Sequence, residues 1–138
     1  MEKWIPIILA VCLIIILLWI IGHQIKEHHQ QDDPMLHRLK EVLKPVHPAI
    51  ETLKLYKAKK SYTINKSKIF LCVKDKNGEY YPLNMLIYVL LHELSHFLNT
   101  KDVGHTEEFH RIFDELLLKA AQIGVFNPSI PIIQEYSK

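Results

Sequence analysis

Cysteine is nearly absent from this sequence, with two residues in 138, Cys12 and Cys72. That excludes a disulfide-rich scaffold. Cys12 lies in an apolar N-terminal run and Cys72 far along the chain, so no bridge between them is expected. Both read as free thiols, which favours a reducing compartment for the polar part of the chain. Glycine is also scarce, at four residues beside seven prolines, and the composition excludes collagen-like and low-complexity classes. An excess of one charge is missing too. Seventeen Lys+Arg against 15 Asp+Glu leave +2, too little to mark a nucleic-acid binder by electrostatics alone. The length allows one domain, and no internal repeat is present.

What the sequence has in abundance is apolar residues at one end. Trp4 to Ile21 contains no charge. Its 18 residues, at about 1.5 Å each, would cover roughly 27 Å as a helix, close to the hydrocarbon thickness of a bilayer. Trp4 and Trp19 sit near the ends, where aromatic belts lie. Pro6 falls in the first turn, where a missing N–H costs little. A domain this small cannot surround a helix apolar on all sides. The stretch Ile20-Ile21-Gly22-His23-Gln24 offers no small-residue cleavage site. The expectation is an uncleaved single-pass anchor over residues 1–22, a juxtamembrane linker over 23–33 that includes His28-His29, and a polar domain over 34–138. Lys3 precedes the span, whereas Lys26, Arg38, Lys40 and Lys44 follow it. That excess places the domain on the cytoplasmic side.

Downstream, Met35 to Lys44 has helical apolar spacing, interrupted by Pro45 and Pro48, and Ala49 to Tyr56 reads as a resumed helix. Lys57 to Lys60, with Lys66 and Lys68, reads as a solvated basic surface. Ser61–Asn65 and Ile69–Val73 are β-rich, and Asn77-Gly78 signals a turn before a third short strand at Glu79-Tyr80-Tyr81. Pro82 and Asn84 open a helix whose stretch Met85–Leu98 is apolar except at His92, Glu93, Ser95 and His96, as befits the central helix of a small domain. Lys101 to Gly104 breaks it. Thr106 caps a second helix with Glu107 and Glu108 in its first turn and one stripe through Phe109, Ile112, Phe113, Leu116, Leu117 and Ala120. The fold class is α+β: a transmembrane helix, then a small sheet with two main helices.

His92-Glu93-Leu94-Ser95-His96 is an H-E-x-x-H. On a helix, residues i and i+4 share a face, so both imidazoles can bind one zinc ion. Glu93 can reach a water whose pKa the zinc lowers, and can take its proton as general base. The chemistry this favours is peptide-bond hydrolysis. A buried pair of histidines and a carboxylate in an apolar helix is costly unless the groups coordinate or pair.

Catalytic zinc sites usually add a third protein ligand, and four residues compete for that place. His105 lies past the turn, where the chain can fold back, and is preferred. Asp102 would suit a metzincin-like reading, but Asn99 replaces the usual Gly and no Met follows residue 85. Glu115 has the spacing of glutamate-ligand zincins yet lies about 140° from the centre of the second helix's apolar stripe, facing solvent. His110 is at the stripe's edge and suits a supporting place beside the site. Tyr80, Tyr81, Tyr88 and Tyr136 are candidates for a general acid or oxyanion partner, but each reads first as core filler and none is assigned. Asp114 reads as solvated.

The stretch from His92 to His96, with Gly104-His105-Thr106-Glu107-Glu108-Phe109-His110 and its continuation through Leu116, resembles the WLM and SprT-like minimal zincins. These carry H-E-L-x-H, a short turn, a His near Gly or Ser, and an aromatic pair on the next helix. The resemblance covers residues 61–122. It implies zinc-dependent proteolysis with His92, His96 and His105 as ligands and Glu93 as general base. His110 departs from the pattern, because relatives often have Trp there. Small anchored proteins with such a domain also resemble open reading frames of large DNA viruses. The expected partners are a polypeptide substrate, added as a strand beside the sheet, and a lipid bilayer through residues 4–21. Nucleic acid is not expected, since the anchor argues against access to chromatin. The rival reading is a non-catalytic protein of a membrane or virion that keeps zinc as a staple. Against it, Glu93 has no use in a structural site, and such sites are usually rich in Cys.

Overall fold

A computed structural model describes residues 2–64 and 68–133 of the chain. The chain divides into two units, Met1–Gln30 and Gln31–Lys138.

In the first unit a short 3-10 turn, Glu2–Trp4, leads into α1, Ile5–Gln31. At 27 residues the helix is roughly 40 Å long. Among the described residues it is the one helix long and apolar enough to cross a membrane, and none of its residues is buried. The polar stretch read as a linker from residue 23 continues the helix to Gln31, and Trp19 stacks on His23 one turn below it.

The second unit begins at a cap. Asp33 accepts the Met35 N–H at 2.9 Å, with Pro34 preset for the first turn of α2, Pro34–Leu43. Asp33 is 4% exposed. It can be buried as an acceptor because the Tyr80 hydroxyl donates to it at 3.1 Å and the Lys57 ammonium lies 3.8 Å away. Leu36, Leu39 and Leu43 form the buried stripe of α2.

After the Pro45–Pro48 turn the resumed helix is one turn only, α3, Ala49–Thr52. The expected continuation to Tyr56 is wrong. Leu53 is extended, and Lys54–Lys57 is strand β1. Its alternation puts Leu55 inward, and its pairing with a neighbouring strand supplies backbone bonds that override local helix preference. β2, Tyr62–Ile64, and β3, Lys68–Leu71, complete a sheet of order β1-β3-β2, parallel between β1 and β3 and antiparallel between β2 and β3. Leu55, Ile69 and Leu71 bury the inner face. Across the register Tyr56, Phe70 and Tyr62 stack in a row, with centroids 4.9 and 4.7 Å apart. The third strand expected at Glu79–Tyr81 is reduced to a single bridge, Lys74 to Tyr80, around the Asn77-Gly78 turn. There Gly78 takes a φ of 79°, and the Asp75 carboxylate accepts the Asn77 and Glu79 N–H groups.

α4, Leu83–Leu98, is the hub. Leu86, Ile87, Leu90, Leu91 and Leu94 are wholly buried. Each contributes on the order of 1.5–3 kcal/mol relative to exposure. α5, Glu107–Gln122, packs along it through Phe109, Phe113, Leu116 and Ala120, and Thr106 caps it by accepting the Phe109 N–H. The tail starts pinned to the opening of α4, since Asn127 and Asn84 exchange hydrogen bonds of 2.7 and 3.1 Å. Tyr136, Lys66 and the end of the tail lie outside the described residues.

Candidate metal centre

α4 places His92 and His96 on one face, one turn apart, with ring centroids 5.0 Å from each other. The chain then turns at residues 99–106 and brings His105 back over both. The Nε2 of His105 lies 3.1 Å from that of His92 and 3.2 Å from that of His96. One nitrogen from each ring falls within 4.8 Å of the others. Tetrahedral zinc bound to imidazoles at about 2.0–2.1 Å sets its ligand nitrogens about 3.3 Å apart. The three side chains therefore fit a zinc-sized ion.

Phe109 forms the floor. Its ring stacks on His96 at 4.4 Å and meets His92 and His105 edgewise at 4.9 and 5.0 Å, while Phe113 abuts His92 at 5.2 Å. This apolar support has an electrostatic result. Burial, with the neighbouring His96, His105 and His110, pushes the His92 imidazole down to about 4. Burial and His105 also push His96 below its ordinary value. At neutral pH both rings keep their lone pairs, as metal ligands must.

Glu93 follows on the adjacent face and is 7% exposed. Its Oε2 accepts the Thr63 hydroxyl of β2 at 2.7 Å. Burial raises the carboxyl pKa, and the Thr63 hydrogen bond opposes that rise. Both groups line a cleft of about 710 Å³, with Ser61 to Thr63 on one wall, His92, Glu93 and His96 at its base, and residues 102–105 on the other wall.

The remaining candidates are not members of the triad. Asp102 lies in the cleft wall, but its Oδ1 is taken by the Asn99 amide at 2.6 Å and the Thr106 hydroxyl at 2.7 Å. His110 is exposed, with its ring edge against Phe109. Glu115 is exposed and pairs with Arg111 at 2.9 Å. Asp114 is exposed. Tyr88 packs against Phe113 and Phe126, and Tyr80 is engaged with Asp33. Sequence reasoning missed Thr63, Asn99 and the floor contacts of Phe109. Thr63 leaves no local signal, because its partner is 30 residues away. Phe109 showed only as one apolar residue of a helix stripe.

No known protein family matches the chain, and no solved structure does. Its similarity is to uncharacterized proteins of large DNA viruses. It is 45% identical over 87 residues to one from Invertebrate iridescent virus 6, covering 61% of this chain and 48% of that protein. It is 41% identical over 85 residues to one from Invertebrate iridescent virus 3, covering 61% and 53%. A protein of Acanthamoeba polyphaga mimivirus is 35% identical over 68 residues, covering 48% and 34%. The chain thus spans about half the length of the iridescent virus relatives it matches. It is an α+β chain with an apolar N-terminal helix, a three-stranded sheet and a histidine triad able to hold metal, similar to proteins of large DNA viruses.

Proposed function

We propose that the chain is a membrane-anchored, zinc-dependent metallopeptidase of the minimal zincin kind. The observation that carries this reading is the convergence of three imidazole Nε2 atoms beside a buried carboxylate in one cleft. His92, His96 and His105 would hold the ion. Zinc bound there supplies Lewis acidity toward a substrate carbonyl and lowers the pKa of a water. Glu93 takes the proton of the attacking water and returns it to the departing amine. Its raised pKa, nearer neutrality than that of a free carboxylate, suits both transfers. Thr63 orients the carboxylate through its hydroxyl. β2 is an edge strand of the sheet, and an extended polypeptide paired with it would pass the triad. α1 would hold the domain at a bilayer, on the cytoplasmic or virion-interior side by the Lys and Arg distribution.

The test uses the full chain in detergent, with zinc read by plasma emission and cleavage read on a denatured protein. Wild type should bind about one zinc and cut. Glu93→Gln should keep the metal and lose about a hundredfold or more in rate. His105→Ala should lose zinc affinity. Zinc bound without cleavage, and unfolding when it is chelated, would sink the peptidase reading and make the metal a staple.

A further inference from the structure

We propose that Asn99, Asp102 and Thr106 form a clasp that positions His105, so that Asp102 acts on the metal centre through His105 and is not itself a ligand. The proposal rests on the metal-centre reading above. His92 and His96 need no such help, because α4 fixes them. His105 lies outside any helix or strand, is exposed, and follows Gly104, whose φ is 92°. Val103 beside it is 89% exposed. The His105 ring meets Phe109, His92 and His96, but the backbone that carries it is exposed loop.

Hydrogen bonds brace that loop. Asn99 ends α4 and is 2% exposed. Its side-chain oxygen accepts the N–H groups of Lys101 and Asp102 at 3.2 and 3.4 Å, and its amide donates to Asp102 Oδ1 at 2.6 Å. The same oxygen accepts the Thr106 hydroxyl at 2.7 Å. Thr106 Oγ1 in turn accepts the Phe109 N–H at 3.4 Å as the cap of α5. One chain of bonds therefore joins the last turn of α4 to the first turn of α5, and His105 is the residue immediately before its Thr106 end. With two donors on one carboxylate oxygen, Asp102 is committed to the loop. A group that orients a metal-binding imidazole typically matters ten- to a hundredfold to affinity.

The test measures zinc affinity of the full chain in detergent by chelator competition, for wild type, Asp102→Ala, Asp102→Asn and His105→Ala. Asp102→Ala should weaken zinc binding about ten- to a hundredfold. Asp102→Asn should stay within a few-fold of wild type, because a neutral amide oxygen still accepts both bonds. Wild-type affinity in Asp102→Ala overturns the proposal. So does a loss in Asp102→Asn as large as that in Asp102→Ala, which would mark a ligand carboxylate. Amide exchange on the metal-free chain gives a second readout. Exchange at Lys101 and at position 102 should quicken in Asp102→Ala, while Leu90 and Leu94 stay slow. If wild type binds no zinc, the metal reading falls, and this exchange pattern alone decides the clasp: faster exchange supports it, and unchanged exchange overturns it.

Discussion

Thr63 and Glu93 meet across the cleft, one from the sheet and one from the central helix. Their bond opposes the rise that burial imposes on the carboxyl pKa. Thr63→Val keeps the shape of the side chain and removes the donor, so the carboxyl pKa should rise further. On the proposed peptidase reading Glu93 is a general base, which must be deprotonated to act, and a higher pKa leaves it protonated over more of the acidic range. The acidic limb of the kcat/KM profile should therefore move to higher pH in Thr63→Val and return in Thr63→Ser. A limb at the same pH in all three proteins would remove Thr63 from the site's proton chemistry. At this scale the sequence is readable where contacts are local. The i, i+4 spacing of His92 and His96 states its own geometry once a helix is granted. His105 is readable from a turn that must bring the chain back. Thr63 is not, because its contact depends on how a strand lies against a helix distant in sequence. Asn99 and Asp102 are visible as residues, but their bonding depends on the loop path.

Among the elements, α4 carries the most. A helix apolar on nearly all sides is expected to be central, and nine of its 16 residues are buried. Leu90 lies at its middle, fully buried and one turn from Leu86 and Leu94. Leu90→Ala should destabilise the metal-free domain by about 2–5 kcal/mol, read by urea unfolding. A loss well under 1 kcal/mol would mean that the hub is not packed as described. α5 was equally legible, since its cap and stripe are both local patterns. The sheet was less so. Lys54–Tyr56 reads as the end of a helix, because Ala49 to Tyr56 carries no Pro or Gly to stop one. What makes it a strand is its parallel partner β3, which begins 14 residues later at Lys68. Conversely, Glu79–Tyr81 follows a strong turn signal and extends no further than one bridge, because its partner Lys74 is already past the end of β3.

The chain as a whole joins a long apolar helix to a small α+β domain. The helix exposes Ile and Leu on every side, a surface that water disfavours and lipid does not. Full-length chain expressed in cells should sediment with membranes and resist extraction by alkaline carbonate, whereas a version lacking residues 4–21 should be released by it. Recovery of full-length chain in the soluble fraction would overturn the anchor. The apolar run was legible from composition alone. The helical course of residues 23–31 was not, since polar residues carry no burial pattern to reveal it.

All three candidate ligands are imidazoles, and neither thiol of the chain belongs to the triad: Cys72 is buried and Cys12 sits in α1. Zinc sites built on thiolates lose their metal when sulfur is oxidised. A site of nitrogen donors has no sulfur to oxidise. An ion held by these three imidazoles would therefore be kept alike in the reducing interior of a cell and in oxidising surroundings.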